Sequence, residues 1–296
     1  MQTSRYLRFT GALALAAAGV IAVALPAAAA TNLPAPTTSK PIVLDGKTND
    51  WKDISGITVP LKRDGGVASV NIKAAVRGDT IYFLAVWEDP DRSDMHKPYK
   101  WDDASSSYKA TKQGEDRFAI SLAMSGDFSA DKMDGSEFTA DVWYWKSSRS
   151  NPAGLAHDKM WRVAKNRFKR AKRFRTPDGS GVFLRRSSDA GDKLYKSVKY
   201  DTKDQEMMPR YKVNMAAKGS IADVKARGVW RNGRWYLELA RKLNTGHADD
   251  AVIPASGTIE ITLAAATGTT GGKHSVSEKL ILVTGPRARQ LSQSKN

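Results

Sequence analysis

Cysteine is absent from this sequence of 296 residues. The chain therefore cannot form a disulfide, a thiolate zinc centre or an iron–sulfur cluster, and it cannot attach haem covalently through a C-x-x-C-H motif. Histidine is also scarce, with only four residues. Any metal or haem must therefore be held by histidine, methionine, lysine, tyrosine or carboxylate side chains.

The sequence also lacks the motifs that mark common enzymes. It has no G-x-S-x-G elbow, no H-E-x-x-H helix, no phosphate-binding glycine loop and no histidine pair at metal-binding spacing. The acidic pairs Asp102-Asp103 and Asp249-Asp250 lie in loop-like segments and indicate no particular chemistry. We expect a protein or subunit without catalytic activity of its own.

Long apolar runs are absent after residue 30, and the apolar run before it has the layout of a secretory signal peptide. Arg5 and Arg8 precede "GALALAAAGVIAVAL", which ends in the small-residue stretch "PAAAA". The run is shorter than the roughly 20 residues that a membrane span needs. We expect residues 1–30 to be removed on export, most simply to a bacterial periplasm, which lowers the formal net charge from +16 to +14.

The remaining chain reads as one β-rich domain over residues 42–285. A Pro/Thr-rich linker (31–41) is expected before it and a flexible tail (286–296) after it, both mobile. At least seven short apolar runs are separated by turn residues, and Asn232-Gly233 stands between two of them as a hairpin signal. This pattern predicts an all-β fold, a β-sandwich.

Residues 159–220 are expected to form an insertion of different character. Trp161, Ala164, Phe168 and Ala171 recur at helical spacing, which predicts a basic amphipathic helix over 159–175 and an irregular segment after it. Residues 159–186 carry eleven Lys or Arg against one acid. Such density favours an acidic redox partner or an anionic membrane surface, whereas nucleic acid is not expected for an exported protein.

Several stretches, in order and spacing, resemble the haem-binding domains related to the ethylbenzene dehydrogenase gamma subunit, within the wider DOMON-like group. The resemblance covers most of the chain outside 159–220. The stretches are "LDGKTNDW" (44–51), "VNIKAAVRGDTIYFLAVWEDP" (70–90), "EDRFAISLAMSGDF" (115–128), "ADVWYWKSSRSNPAGLAHD" (140–158), "GVWRNGRWYLELAR" (228–241) and "GGKHSVSEKLIL" (271–282).

The resemblance implies a β-sandwich that holds one non-covalent b-type haem between a methionine and a Lys or His near the last strand. In this sequence Met133 stands at the methionine position, and His274, with Lys273 beside it, at the other. Trp143, Trp145 and Phe138 are expected to line the haem pocket. The resemblance further implies electron transfer, with a molybdenum-enzyme complex of the dimethyl-sulfoxide-reductase type or an acidic c-type cytochrome as partner.

Several alternatives remain at this point. His274 can be an ordinary strand residue, and Lys273 can replace it as the ligand. Met124 and Met95 are alternatives to Met133, and Met95 with His96 forms a second candidate site.

The other two histidines, His157 and His247, are expected to support loops, and Trp51, Trp87, Trp230 and Trp235 are expected in the core. A carbohydrate-binding module and a docking protein that has lost its haem are the alternative functions.

Overall fold

The structure is a computed structural model, and it describes residues 30–62, 64–268 and 273–294. The predicted signal peptide therefore lies outside the described residues, apart from Ala30. Strands dominate the described part of the chain, and they form two large sheets and two small ones. The all-β prediction is thereby confirmed.

The larger of the two main sheets has nine strands in the spatial order β1-β19-β17-β7-β8-β9-β11-β10, with β18 beside β17. The pair β1 and β19 is parallel, whereas the other pairs in this sheet are antiparallel. Its strands are β1 (Thr31–Ala35), β7 (Arg117–Gly126), β8 (Phe138–Lys146), β9 (His157–Ala164), β10 (Lys172–Phe174), β11 (Val182–Ser188), β17 (Gly257–Ala266), β18 (Ser275–Val276) and β19 (Leu280–Thr284).

The second main sheet has five antiparallel strands in the order β15-β16-β4-β3-β2. Its strands are β2 (Gly56–Pro60), β3 (Ser69–Arg77), β4 (Thr80–Glu88), β15 (Lys225–Arg231) and β16 (Arg234–Lys242). The predicted Asn232-Gly233 hairpin is confirmed, because these two residues join β15 to β16 and both have positive φ.

Smaller elements complete the fold among the described residues. The strands of the two small sheets are β5 (Tyr99–Asp102), β6 (Ser107–Ala110), β12 (Tyr195–Ser197), β13 (Met207–Met208) and β14 (Tyr211–Val213). Single-turn 3₁₀ helices occupy Asn49–Trp51, Asn151–Ala153 and Ser220–Ala222, and α1 spans Pro286–Gln293. No helix in the described ranges has both the length and the apolar character needed to span a membrane.

The main hydrophobic core lies between the two large sheets. Trp143 and Trp145 of β8 pack there with Trp87 of β4 and Trp235 of β16. Trp51 is also fully buried, in a separate cluster on the five-stranded sheet. Of the tryptophans predicted for the core, Trp230 alone is only half-buried at the edge of the main core.

Three segments differ from the prediction. Thr31–Ala35, assigned to a mobile linker, forms β1 and pairs with β19. The helix predicted over 159–175 is wrong, because these residues form β9 and β10 of the large sheet. Trp161 pairs across to Ala140 of β8, so sheet hydrogen bonding and burial prevail over the helical spacing of the apolar residues. The expected flexible tail begins with the helix α1.

Candidate functional site

The outer face of the nine-stranded sheet carries a second apolar cluster, separate from the main core. Side chains alternate along a strand, so Phe138, Ala140 and Tyr144 of β8 point outward while Trp143 and Trp145 point into the main core. The cluster includes residues of β7, β8, β9 and β11. A sheet face that would otherwise be polar therefore offers an apolar platform.

Small side chains form the middle of this platform. Ala119 pairs with Ala264 on one side and with Tyr144 on the other, and Ala123 pairs with Ala140 further along. Because these side chains are small, a flat group that lies on this face can approach the backbone of the strands closely. The small outward-facing residues on β17, β7 and β8 are Thr262, Ala264, Ala119, Ser121, Ala123 and Ala140.

Met133 lies over one end of the platform, in the loop between β7 and β8. Its side chain is half-buried and packs against the outer apolar cluster. The backbone N–H of Met133 donates a hydrogen bond to the carboxylate of Asp131 at 3.0 Å. The neighbouring Lys132 places its ammonium group 4.9 Å from the ring centroid of Trp161. The thioether is therefore held against the sheet.

His274 lies over the other end of the same face. Its Nε2 atom is 3.1 Å from the hydroxyl of Tyr144 and 3.4 Å from Nη1 of Arg117. Because arginine can only donate hydrogen bonds, this geometry favours the tautomer in which Nε2 carries its lone pair. That lone pair is the group that a metal ion takes from a neutral imidazole.

Lys273 is turned away from this face. Its side chain is 64% exposed, and its ammonium group forms an ion pair with Asp64. The ion pair with Asp64 thus directs the Lys273 side chain away from the platform. Of the two residues at this position, His274 contacts the platform through Tyr144, whereas Lys273 does not face it.

Met133 and His274 approach the platform from opposite ends. Tyr144 marks the His274 end, because it contacts that residue. Ala140 marks the other end, because it pairs with Trp161, over which Lys132 lies. Tyr144 and Ala140 are four residues apart along β8. That separation corresponds to roughly 13 Å of strand. A polar groove of about 490 Å³ lies beside the platform, between the β7–β8 loop and residues 276–279, and neither Met133 nor His274 lines it.

The two tryptophans predicted to line a pocket lie on the other side of the sheet. The indole N–H of Trp145 donates to Asn151 at 3.0 Å, and Trp143 contacts Phe83 edge-on in the main core. Both indoles are fully buried. Of the predicted lining residues, only Phe138 shares the face of Met133 and His274.

The other candidate ligands lie elsewhere. Met124 packs against the main core, at a bulge in β7. Met95 is 37% exposed, and His96 next to it lies 3.7 Å from Glu115. Burial and the positive charge of Arg149 lower the pKa of His96 to about 4. His247 is exposed and contacts Asp223 at 2.7 Å, as expected for a loop residue.

Sequence reasoning missed a buried polar chain that continues from the His274 end of the platform. Lys146 is fully buried, and its ammonium group lies 2.7 Å from Nδ1 of His157, whose Nε2 is 2.8 Å from the hydroxyl of Ser188. Burial lowers the pKa of Lys146 well below its usual value. Burial and the charge of Lys146 lower the pKa of His157 as well. Lys146 and Tyr144 are two residues apart, and this spacing was the available signal.

The far side of the platform is strongly basic. Arg186 lies 5.0 Å from the ring centroid of Trp161. Burial lowers the pKa of Lys159 to about 8. A groove of about 490 Å³ beside β10 and β11 is lined by Arg170, Lys172, Arg185 and Arg186, together with Phe174, Leu184, Ser187 and Ser188. The positive charge predicted from residues 159–186 is therefore displayed from strands, next to the apolar platform.

Comparison with solved structures finds carbohydrate-binding modules of family 9 from Caldicellulosiruptor kristjanssonii. The module in complex with glucose is 12% identical, with a TM-score of 0.38, over 84% of this chain and 94% of the module. The module in complex with cellotriose is also 12% identical, with a TM-score of 0.39, over 86% of this chain and 95% of the module. No curated protein matches the sequence.

The profile of the family described as ethylbenzene dehydrogenase matches residues 26–275. The match includes the β7–β8 loop with Met133, the whole of the outer platform on β7, β8, β9 and β11, and the segment with His274. The chain therefore belongs to the ethylbenzene dehydrogenase family.

Proposed function

We propose that this protein binds one b-type haem on the outer face of the nine-stranded sheet and passes electrons between redox proteins. One observation supports the proposal most strongly. Met133 and His274, far apart in the sequence, lie on the same outer face, whereas Lys273 is turned away toward Asp64. Family membership supports the same function.

The donor types on this face are those that such a group takes from a protein, and the two donors lie at opposite ends of the platform. A thioether and an imidazole with an available lone pair stand on one face, and the side chains between them are small and buried or half-buried. The basic side chains of Lys159 on β9 and Arg186 on β11 can pair with the two carboxylates of the macrocycle. To hold the iron, Nε2 of His274 would give up its contact with the hydroxyl of Tyr144.

A haem with one thioether and one imidazole ligand supplies reversible one-electron transfer at a raised potential. The residues of this chain set the conditions for that chemistry. Arg117 and Tyr144 hold the imidazole on this face before haem binds, because both contact Nε2, and both contacts would be given up when Nε2 binds iron. Phe138, Val142 and Trp161 exclude water from one side, and a low-dielectric surrounding disfavours the more highly charged ferric state.

The basic groove beside β10 and β11 is proposed as the docking surface for an acidic redox partner. Arg170, Lys172 and Arg186 line it, and it borders the platform through Trp161 and Phe174. A positive surface near the redox centre attracts an acidic protein and speeds transient association. The partner is a subunit of a molybdenum-enzyme complex or an acidic c-type cytochrome, and we place the exchange in the periplasm.

A hemin titration of the purified protein tests haem binding at this face. Ala123 is half-buried on the platform floor, so Ala123→Trp fills the space above the sheet, while Ala123→Ser leaves it open. We expect one hemin per chain for the parent and for Ala123→Ser, and binding at least tenfold weaker for Ala123→Trp with unchanged circular dichroism. Equal binding by both variants would place the haem elsewhere.

A further inference from the structure

Two cationic side chains face each other on the outer face of the nine-stranded sheet. Arg117 at the start of β7 and Lys146 at the end of β8 are cross-strand partners. The backbone N–H of Ser147 donates to the carbonyl of Asp116 at 3.0 Å. This bond makes Arg117 and Lys146 a non-hydrogen-bonded pair, the closer of the two antiparallel spacings. Like charges directly opposite each other destabilise a sheet, so the pairing is unfavourable unless another group compensates it.

No carboxylate compensates either charge in the part of the chain that the structure describes. Arg117 is 8% exposed and Lys146 is 3% exposed, and neither forms an ion pair with a described residue. Glu115, two residues before Arg117, is bound to Arg149 and Ser148 instead. Uncompensated charge in a buried position is strongly unfavourable.

The guanidinium of Arg117 makes only long contacts. Its Nη1 lies 3.4 Å from the hydroxyl of Tyr144 and 3.4 Å from Nε2 of His274, and its Nη2 lies 3.5 Å from the carbonyl of Lys273. An N–H donor usually lies roughly 2.7–3.2 Å from its acceptor. The buried Nε of Arg117 has no acceptor among the described residues. Because buried polar atoms in native proteins normally have a partner, this guanidinium is suited to a further acceptor.

The ammonium group of Lys146 also has unused donors. Its Nζ lies 2.7 Å from Nδ1 of His157, whose Nε2 lies 2.8 Å from the hydroxyl of Ser188. A protonated lysine donates up to three hydrogen bonds and accepts none, so Nδ1 takes one of them. The same Nζ lies over the rings of Tyr144 and Tyr195, 4.6 Å and 5.3 Å from their centroids. Two N–H donors of Lys146 can therefore serve a further acceptor.

We propose that Arg117 and Lys146 bind one small oxyanion, of the phosphate or sulfate class, on the outer face of the sheet. A guanidinium presents parallel N–H donors that match two oxygens of such an anion, and the ammonium group supplies a second positive charge. The hydroxyl of Tyr144, beside Arg117, can donate a further hydrogen bond. Tyr144, His274 and Tyr195 are each half-buried, so the site borders solvent.

The bound anion explains how two cations are buried side by side. Burial, together with the positive charges of Arg149 and Lys159, lowers the pKa of Lys146 well below its usual value. An oxyanion beside Lys146 has the opposite effect, because a nearby negative charge favours the protonated amine. The proposal assigns no role to an iron ligand, so it is tested separately from haem binding.

Isothermal titration of the full chain with inorganic phosphate and with sulfate, without hemin, tests the proposal. The ionic strength is held constant with potassium chloride and the added anion is kept at low concentration, because concentrated phosphate or sulfate stabilises proteins by exclusion from their surface. We expect one anion per chain and a Tm that rises with the logarithm of the anion concentration. Absence of binding of both anions at millimolar concentration would overturn the proposal.

Two lysine variants locate the anion. Lys146→Met keeps the length of the side chain and removes its charge, so phosphate binding should weaken at least tenfold and the phosphate-dependent rise in Tm should disappear. Arg117→Met serves if Lys146→Met does not fold. The control is Lys172→Met, which removes a charge from the basic groove beside β10 and β11 and should leave phosphate binding unchanged. Binding that survives Lys146→Met and is lost in Lys172→Met would place the anion in that groove and overturn the proposal.

Discussion

The Nε2 atom of His274 lies 3.1 Å from the hydroxyl of Tyr144, on the outward face of the nine-stranded sheet. This contact fixes the position of the His274 imidazole. In the sequence, His274 follows a pair of glycines and precedes the last strands. The contact also turns His274 toward the platform on which Met133 packs. The side chain of Lys273, by contrast, is turned away from the platform and is exposed beside Asp64.

The contact with Tyr144 leads to a first prediction. In the proposed complex, iron replaces Tyr144 as the partner of Nε2, so Tyr144→Phe removes a competitor without removing the ring. We expect the Tyr144→Phe variant to bind hemin at least as tightly as the parent, with a low-spin spectrum. A tenfold loss of hemin affinity would mean that the hydroxyl supports the haem directly. Absorbance titration measures both quantities.

Replacement of Met133 tests the second ligand. Met133→Ala removes the thioether, so the haem should become five-coordinate or take water, and its reduction potential should fall because a soft ligand to ferrous iron is lost. Met124→Ala changes the main core instead and should leave the potential unaltered. Because Met124 is only partly buried, the loss of stability should fall at or below the lower end of the roughly 2–5 kcal/mol typical of a buried methionine. Redox titration and thermal unfolding distinguish the two. An unchanged potential in Met133→Ala would exclude this residue as a ligand.

Much of the architecture could be predicted from the sequence, because strand and turn signals are local. The Asn232-Gly233 hairpin and the core positions of Trp87 and Trp235 follow from alternation and turn chemistry. The sequence could not exclude a helix over 159–175 in this way. Trp161 fits the helical spacing of apolar residues as well as the alternation of a strand, and its pairing partner Ala140 is distant in sequence. Strand pairing across the sheet decided the outcome.

The site was predicted less completely, for two physical reasons. Phe138 and Trp143 are five residues apart on one strand and must face opposite sides, so the alternation itself excluded a pocket lined by both. The contact of Tyr144 with His274, by contrast, joins two segments that only the folded sheet brings together. No local pattern in the sequence signals such a contact.

The basic groove predicts a salt-dependent encounter with an acidic partner. Lys172→Glu reverses one exposed charge in the groove, whereas Lys52→Glu reverses an exposed charge next to the five-stranded sheet. We expect Lys172→Glu to slow electron transfer to an acidic c-type cytochrome several-fold at low salt, and to flatten the dependence of the rate on ionic strength. Lys52→Glu should do neither. Stopped-flow kinetics provides the rates, and equal effects of the two variants would argue against this docking surface.

The buried acid Asp89 predicts a pH dependence of stability. Burial and the neighbouring Asp116 raise the pKa of Asp89 to about 7. The folded state therefore keeps a proton that the unfolded state has lost, and stability declines as the pH rises from about 4 to about 7. Asp89→Asn should flatten this decline and raise Tm at pH 8, by about 2–4 °C for each kcal/mol recovered.

The control for this prediction is Asp91→Asn, which alters an exposed acid of the same loop. Thermal unfolding of the three proteins between pH 4 and pH 8 compares their slopes. If Asp89→Asn and the parent protein show the same slope, Asp89 is not the group that titrates.

The most direct measurement is the ultraviolet–visible spectrum of the dithionite-reduced protein, purified from cells supplied with haem. We predict a sharp Soret band and an alpha band of the b type for the parent and for Lys273→Ala, and their loss in His274→Ala. A colourless parent protein, or a His274→Ala variant that keeps the full low-spin spectrum, would contradict iron binding by His274 on the outer face of the sheet.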